Sequence, residues 1–189
     1  MRGIVIASTL AAVGLLSLTA CTGGDDTSHR QPGPRAALGL GQGADTAGAE
    51  GRGTVQITPD TVVYIDRTSF GTPERGLFAV VTFKAMNRGK AAVKTTAGSG
   101  GFRWKTPGGY TVKQGQGKSA GKIAPIGFSE GGPTVRPDTY QAETVAFDIT
   151  TAERGGTLVY VDGDGVAFCW KVPSTSSGPA VPALRSALQ

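Results

Sequence analysis

An alternation of apolar and polar residues with a period of two is the feature that most constrains the fold. In the segment 77–86, the inward positions are Leu77, Val81, Phe83 and Ala85, and the outward positions are Thr82 and Lys84. In the segment 144–149, the inward positions are Val145, Phe147 and Ile149, and the outward ones are Thr144, Ala146 and Asp148. No stretch combines a sustained period of 3.6 residues with helix caps. The pattern therefore predicts an all-β domain over residues 53–173.

The end of this domain is predicted to be a β-hairpin. Strand 158–161 leads into Asp162-Gly163-Asp164-Gly165, and the chain returns over 166–172. Asp-Gly pairs supply the positive φ values that such turns need. Further strands are expected at 54–58, 61–66, 101–105 and 110–113. Short strands separated by Gly and Pro clusters, with 30 Gly and 11 Pro in 189 residues, indicate a sandwich or a barrel.

Three groups of residues resemble a known family. They are the run Val-Thr-Phe-Lys-Ala-Met-Asn-Arg-Gly at 81–89, the Gly-Phe-Arg-Trp of 101–104 with Gly109-Tyr110, and Val135-Arg136-Pro137 before the strand 143–149. Together they resemble the immunoglobulin-like domain of secreted and lipidated bacterial antigens, the immunoprotective-antigen type of unknown function. The resemblance covers most of residues 53–173 and implies an immunoglobulin-like two-sheet β-sandwich. It transfers no catalytic residue. Segment 114–122 departs from the compact pattern, and we expect a mobile loop there.

The chain begins with an apolar run from Ile4 to Ala20 that ends in Leu18-Thr19-Ala20-Cys21. These residues resemble a bacterial lipobox, the end of a lipoprotein signal peptide. In that family a peptidase cuts between the positions of Ala20 and Cys21, and the cysteine sulfur carries a diacylglycerol. The resemblance implies that residues 1–20 are a lipoprotein signal peptide and that Cys21 is the lipidated first residue of the mature protein. Two alternatives stay open: a membrane-spanning helix at the lower limit of length, and cleavage before an unlipidated cysteine.

The segments on either side of the β domain have the composition of linkers. From Thr22 to about Arg52 no apolar period survives, and Leu38 and Leu40 look too isolated to nucleate a core. We therefore expect a flexible linker over 21–52. Residues 174–189 are predicted to be a disordered tail, in which 181–188 form one or two weak helical turns at most.

The β domain lacks the residues of common catalytic and metal sites. The only histidine, His29, lies in the predicted linker, which excludes Ser-His-Asp catalysis and the usual zinc ligand sets from the domain. The glycine-rich run 98–101 lacks the Lys-Ser/Thr pair of a phosphate loop. The Asp162-Gly163-Asp164 sequence lacks the terminal Glu of a calcium loop, so we interpret it as a hairpin turn. No catalytic residue, metal or cofactor is expected.

The second cysteine, Cys169, is the only one left if Cys21 carries a lipid. On that basis no intramolecular disulfide is expected. Strand parity places Cys169 opposite to Phe168 and Trp170. This predicts a small side chain on a half-covered face rather than a reactive thiol.

Charge is distributed unevenly along the domain. Residues 75–129 contain no Asp or Glu but ten basic residues, and the balance reverses over 130–172. The candidate anion-binding face consists of Arg103, Lys105, Lys113, Lys118 and Lys122. Trp104 and Tyr110 are expected beside these cations. The alternative is that strands interleave in space and mix the charges, so that the lysines only blunt sheet edges and aid solubility.

Taken together, these features predict a lipid-anchored protein on the extracytoplasmic face of the cell membrane. We expect a non-catalytic interaction or binding module that engages anionic lipid or a cell-wall polymer, and not nucleic acid. The alternative is a small-ligand carrier lipoprotein, which needs an internal apolar pocket. A hydrolase needs a cleft in which acidic groups of perturbed pKa converge.

Overall fold

The computed structural model describes residues 36–96, 100–123 and 134–189. The strands are β1 Leu38–Gly39, β2 Ala44–Ala47, β3 Thr54–Ile65, β4 Leu77–Asn87, β5 Val93–Lys94, β6 Gly101–Lys105, β7 Thr111–Lys113, β8 Thr134–Val135, β9 Thr139–Ile149, β10 Gly156–Val161 and β11 Ala167–Val172. The helices are α1 Ala120–Ile123 and α2 Val181–Leu188, and 3-10 turns occupy Ala49–Gly51 and Thr151–Glu153. The protein is therefore predominantly β, as the alternation predicts.

Two main sheets share one core. The five-stranded sheet has the order β1-β11-β10-β6-β7, the four-stranded sheet has the order β2-β3-β4-β9, and β5 pairs with β8. Aromatic side chains of both sheets meet in the core, with ring centroids 4.5 Å apart for Phe83 and Phe102 and 5.7 Å apart for Trp104 and Phe147. Burial of such large apolar surfaces is the main favourable contribution to folding.

The predicted strand parities are confirmed on the inward side. The inward residues of β4 and β9 all belong to the core: Leu77, Val81, Phe83, Ala85, Val145, Phe147 and Ile149. The hairpin is also confirmed, since Leu158 pairs with Trp170 in the β10–β11 ladder. The strands expected at 54–58 and 61–66 form one strand, β3, with a register shift between Pro59 and Thr61. Proline has no N–H to donate to a ladder, and a bulge lets the strand continue past it.

The outer face of the four-stranded sheet is covered, which the alternation does not predict. Phe78 and Val80 of β4 are fully buried there, packed against the two helices. The covering residues are Ala120 and Ile123 of α1 and Leu184 and Leu188 of α2. Segment 114–122, expected to be a mobile loop, therefore contains the start of a packed helix. Thr82, Thr144, Ala146 and Asp148, predicted to face outward, are buried beneath this second layer or beside it.

The helical turns predicted at 181–188 are present as α2, but the prediction that residues 174–189 are otherwise a disordered tail is wrong. Leu184 and Leu188 are four positions apart and so lie on one face of α2, where both are fully buried. Before the helix, the Val62 N–H donates to the Ser177 carbonyl at 2.8 Å, and the Ser177 N–H donates back to Val62 at 2.9 Å. An eight-residue segment with two buried leucines is only a weak sequence signal for a packed helix. The surface that buries these leucines comes from β4, which is distant along the chain.

The predicted linker over 21–52 is too long at its C-terminal end. β1 and β2 lie inside it, and Leu38 and Leu40 pack against the core. Leu38 pairs in parallel with Trp170 of β11, and the Trp170 indole N–H donates to the Gln42 carbonyl at 2.8 Å. These partners are far apart in the sequence, so the local composition of 38–47 does not reveal them. Residues 21–35 lie outside the described residues, as does the predicted signal peptide over 1–20.

Cys169 is disulfide-bonded, and the described part of the chain contains no free cysteine. The expectation of no intramolecular disulfide, which rested on a lipid at Cys21, is therefore not met. The direction predicted for Cys169, opposite to Phe168 and Trp170, agrees with the strand register, but its side chain is buried at 6% exposure and not half-covered. The other cysteine of the sequence, Cys21, lies outside the described residues.

No helix among the described residues has the length and apolar character needed to cross a membrane. The apolar run from Ile4 to Ala20, for which a spanning helix was an open alternative, lies outside those residues.

Candidate functional site

Three of the five predicted anion-binding residues share one face. β6 and β7 are neighbours in the five-stranded sheet, and Arg103 stands directly opposite Lys113 in their ladder. Phe102 and Trp104 point into the core, so Arg103 and Lys105 point outward. Directly opposed residues of an antiparallel pair have Cβ atoms about 4.5–5.5 Å apart, so the two cations at 103 and 113 are close neighbours.

A fourth cation, Lys171, joins this face from β11. Thr157 of β10 stands opposite Lys105 on one side and opposite Lys171 on the other, so the two lysines are about 9.5 Å apart across the sheet. The charge pattern does not reveal Lys171, because it lies in the predominantly acidic segment 130–172. Only the strand order β11-β10-β6 brings it to the other cations.

We call Arg103, Lys105, Lys113 and Lys171 the basic sheet face. The outward positions of β6, β7, β10 and β11, read from the register, are Gly101, Arg103, Lys105, Thr111, Lys113, Thr157, Val159, Val161, Ala167, Cys169 and Lys171. None of them is acidic. Lys113 and Lys171 are exposed, and Arg103 and Lys105 are half-buried.

Lys118 and Lys122 do not belong to the basic sheet face, which corrects their predicted place. After β7 the chain crosses to the other sheet, where the Gly115 N–H donates to the Ala146 carbonyl of β9 at 2.9 Å. Lys122 lies on α1, whose buried residues cover the outer side of the four-stranded sheet. Lys118 lies in the turn before α1.

The rest of the acid-free segment is also divided between layers. Lys84 of β4 lies on the four-stranded sheet, 3.8 Å from the Asp60 carboxylate and 6.0 Å from the Tyr140 ring centroid. Arg75 binds Glu153 at 2.7 Å. The ten basic residues therefore do not form one face. Strand interleaving mixes their charges, as the alternative interpretation expects, and leaves a smaller cationic group on the five-stranded sheet.

The two aromatic residues expected beside the cations differ in their placement. Trp104 is fully buried in the core, and its indole N–H donates to the Glu153 carbonyl at 3.2 Å. It is a core residue and is not available to a ligand. Tyr110, by contrast, is 73% exposed at the start of β7.

Tyr110 borders a cleft of 220 Å³ at the edge where the two sheets approach. Its lining includes Glu74, Arg75, Gln116 and Asp148. The Asp148 carboxylate is buried and accepts hydrogen bonds from the backbone N–H groups of Glu74 at 2.7 Å and Arg75 at 2.9 Å. These bonds fix the chain that carries the two charged side chains of the cleft wall.

Glu153 holds the Arg75 guanidinium from outside the cleft. Burial pushes the pKa of Glu153 upward, but hydrogen bonds from the Thr150 backbone and from Arg75 outweigh this effect and lower the pKa below its ordinary value. Glu153 is therefore ionised at neutral pH. It also caps its own 3-10 turn, since its carboxylate accepts the Thr150 N–H at 2.7 Å.

The Asp162-Gly163-Asp164-Gly165 turn is structural. The buried Asp162 carboxylate accepts the N–H groups of Asp164, Val166 and Ala47 at 2.9–3.0 Å. Gly165 has a φ of 78°, which favours glycine. Nowhere in 36–96, 100–123 or 134–189 do three or more His, Cys, Asp or Glu side chains form a group that could hold a metal ion.

Glu143, the acidic residue whose pKa is raised by burial, lies apart from the carboxylates of Glu74 and Asp148, which both line the cleft. Glu143 faces the core side of β9 opposite Phe83, and burial raises its pKa. The cleft carboxylate of Asp148 lies five positions along the same strand, about 17 Å away. That distance exceeds the carboxylate separations used in glycoside hydrolysis.

Comparison with protein-family models, curated protein sequences and solved structures found no match to this chain.

Proposed function

We propose that this is a lipid-anchored protein of the extracytoplasmic membrane face, and that its non-catalytic sandwich binds anionic phosphate-bearing surfaces through the basic sheet face. The observation that carries the proposal is the convergence of Lys105, Lys113 and Lys171, beside the half-buried Arg103, on one side of the five-stranded sheet. We favour anionic lipid headgroups over a wall polymer, because the proposed anchor at Cys21 would hold the domain at a membrane.

The sandwich is proposed to be immunoglobulin-like. In that fold one sheet contains strands A, B and E, and the other contains C, F and G. The orders β3-β4-β9 and β6-β10-β11 follow this arrangement when the strands are taken as A-B-E and C-F-G. A buried tryptophan on strand C is typical of the fold, and Trp104 on β6 occupies the equivalent place.

The position of β1 limits how far an anchored domain can lie from the membrane. β1 forms the edge of the five-stranded sheet that carries the cations, and Leu38 follows Cys21 by 17 positions. Seventeen residues span at most about 60 Å when fully extended, so a lipid at Cys21 would keep the domain within that distance of the membrane.

The packing of the core favours a binding surface over an internal carrier pocket. Trp104, Trp170, Tyr160 and Phe147 fill the space between the sheets, each no more than 1% exposed. The clefts at Asp162, at Tyr110 and at Met86 open at the surface and are lined partly by charged side chains. A small apolar ligand prefers an enclosed, largely apolar cavity.

Vesicle binding tests the proposed surface. The unlipidated mature chain, residues 21–189, is expected to sediment with phosphatidylglycerol-containing vesicles at low salt and not with pure phosphatidylcholine vesicles. Binding should fall at physiological salt, where the Debye length is about 8 Å. Isolated cell walls form the second arm, before and after removal of their anionic polymers. Binding to walls without binding to vesicles would assign the face to the polymer, and binding to neither would overturn the proposal.

The anchor is tested by replacing Cys21 with alanine. The variant is expected to remain an unprocessed precursor without lipid, because in lipoproteins the cysteine sulfur is the acceptor of the diacylglycerol. Mass spectrometry of the membrane fraction measures the modification directly. A sulfur that carries a lipid thioether cannot also form a disulfide, and Cys21 is the only other cysteine of the sequence, so the anchor requires that Cys169 forms no intramolecular disulfide in the lipidated protein. Non-reducing analysis that finds Cys21 and Cys169 bonded to each other in the membrane fraction would contradict the anchor. An unmodified Cys21 in wild-type membranes, or a mature chain that begins elsewhere, would end the proposal of an anchor.

A further inference from the structure

Tyr110 is presented to solvent by a rigid turn between β6 and β7. The Thr106 N–H donates to the Tyr110 carbonyl at 2.8 Å, and the Tyr110 N–H donates to Thr106 Oγ1 at 3.1 Å. Gly109 has a φ of 87°, and its N–H donates to the Thr106 carbonyl at 2.9 Å. These bonds fix the backbone that carries the exposed ring beside the cleft. Holding it there in advance reduces the entropy cost of binding a ligand.

Polar side chains of both kinds surround the rest of the cleft. Glu74 supplies carboxylate acceptors and Arg75 supplies guanidinium donors, and the Asp148 carboxylate fixes the backbone of both. Gln116 uses its Oε1 to accept the Lys113 N–H at 3.3 Å, so its amide group remains as a donor facing the cleft. One aromatic surface with donors and acceptors around it suits a ring-shaped ligand with hydroxyl groups.

Gly117 has no side chain and therefore leaves space at one wall of this cleft. Its φ is 102°, and a Cβ at this position would lie 3.2 Å from Asp148 Oδ2 and 3.7 Å from Glu74 Oε2. A larger residue would crowd the two carboxylates. The volume of 220 Å³ lies below the range of about 300–1,000 Å³ for drug-sized ligands, so the space suits a single ring.

We propose that this cleft binds one pyranose unit of a glycan, with the sugar stacked on Tyr110 and its hydroxyls bonded to Glu74, Arg75 and Gln116. A pyranose has an apolar face of C–H groups that packs on an aromatic ring, and a rim of hydroxyls that both donate and accept. The cleft contains both complementary surfaces. This proposal goes beyond the membrane-binding function and does not depend on it, because the sugar needs no charge.

Thr111, which follows Tyr110 in the sequence, connects the cleft to the basic sheet face. Thr111 lines the cleft and stands opposite Lys105 in the β6–β7 ladder. A glycan that leaves the cleft along this strand passes Lys105 and Lys113. Acidic substituents on neighbouring sugar units would therefore meet cations, whereas the bound unit itself is recognised by Tyr110.

Neutral tetrasaccharides test the proposal without involving the basic sheet face. Chitotetraose, cellotetraose and maltotetraose are titrated into the unlipidated mature chain up to about 10 mM and followed by NMR, which detects a binding free energy of roughly −3 kcal/mol. At least one probe is expected to bind and to shift the signals of Tyr110. Tyr110→Ala is expected to weaken that binding tenfold or more, and Tyr110→Phe is expected to retain it. Glu74→Gln is expected to weaken it with the stacking ring intact.

The matched control is Tyr140→Ala. Tyr140 is also an exposed tyrosine, 59% accessible, but it lies on β9 beside Lys84. Its loss is expected to leave sugar binding unchanged, as is neutralisation of the basic sheet face. The proposal is overturned if no probe binds, or if Tyr110→Ala binds as tightly as the wild-type protein. Because vesicle binding is measured separately, either failure leaves the proposed membrane function standing.

Discussion

Replacing Lys105, Lys113 and Lys171 together by glutamine is expected to weaken binding to anionic vesicles by about 10²-fold at low salt. Each basic side chain near an anionic membrane contributes about 1 kcal/mol, and three contribute roughly 3 kcal/mol. Every 1.4 kcal/mol is a factor of ten in affinity. Sedimentation with vesicles that contain increasing fractions of phosphatidylglycerol measures the change. The difference in affinity between the wild-type protein and the variant should become smaller as the salt concentration rises.

The matched control removes the same number of charges elsewhere. Lys94, Lys118 and Lys122 are replaced by glutamine, which gives the same net charge as the first variant. None of these residues lies on β6, β7 or β11. The control is expected to bind within a few-fold of the wild-type protein. Equal losses in both variants would show that net charge, and not the basic sheet face, drives the binding.

The first variant is expected to fold normally. Lys113 and Lys171 are exposed and Lys105 is half-buried, so none of the three lies in the core. Glutamine removes the charge and remains polar, so it places no apolar side chain on the surface. Circular dichroism and the thermal midpoint verify this. An unfolded variant would lose binding for a different reason. Vesicle binding is therefore also measured for single substitutions at Lys113 and Lys171, which are both exposed.

Sequence reasoning identifies what depends on neighbours along the chain. The period of two places the inward residues of β4 and β9 correctly, and the Asp-Gly pairs locate the β10–β11 turn. Each of these depends on a few consecutive residues. Parity also separates Arg103 from Trp104, so that one is outward and the other is buried.

What sequence reasoning misses depends on distant partners. Leu38 looks isolated until Trp170 lies beside it, and Leu184 looks like part of a tail until Phe78 provides its surface. Lys171 belongs to the cations of β6 only through β10. The same rule explains why the acid-free segment is not one face, because consecutive strands go to different sheets. Linear charge segregation therefore overestimates a patch in a two-sheet protein.

Trp170→Ala is expected to lower the free energy of unfolding by about 3–5 kcal/mol. Trp170 is fully buried, as the strand parity predicts, and its ladder partners are Leu158 and Leu38. Truncation removes an aromatic side chain from the core and leaves the Gln42 carbonyl without its indole donor. Because domains of this size have a total stability of about 5–15 kcal/mol, the loss is a large fraction.

The loss should be concentrated where β1 joins the sheet. The parallel β1 ladder consists of two residue pairs, and Leu38 both pairs with Trp170 and packs against the core that contains it. Urea denaturation with the Cys169 disulfide intact measures the stability. Hydrogen exchange at residues 38–42 shows whether this edge opens first. The control is Lys171→Ala, the exposed next residue on the same strand, which is expected to change stability by less than about 0.5 kcal/mol. If the two variants are equally stable, Trp170 does not stabilise the junction between β1 and the hairpin.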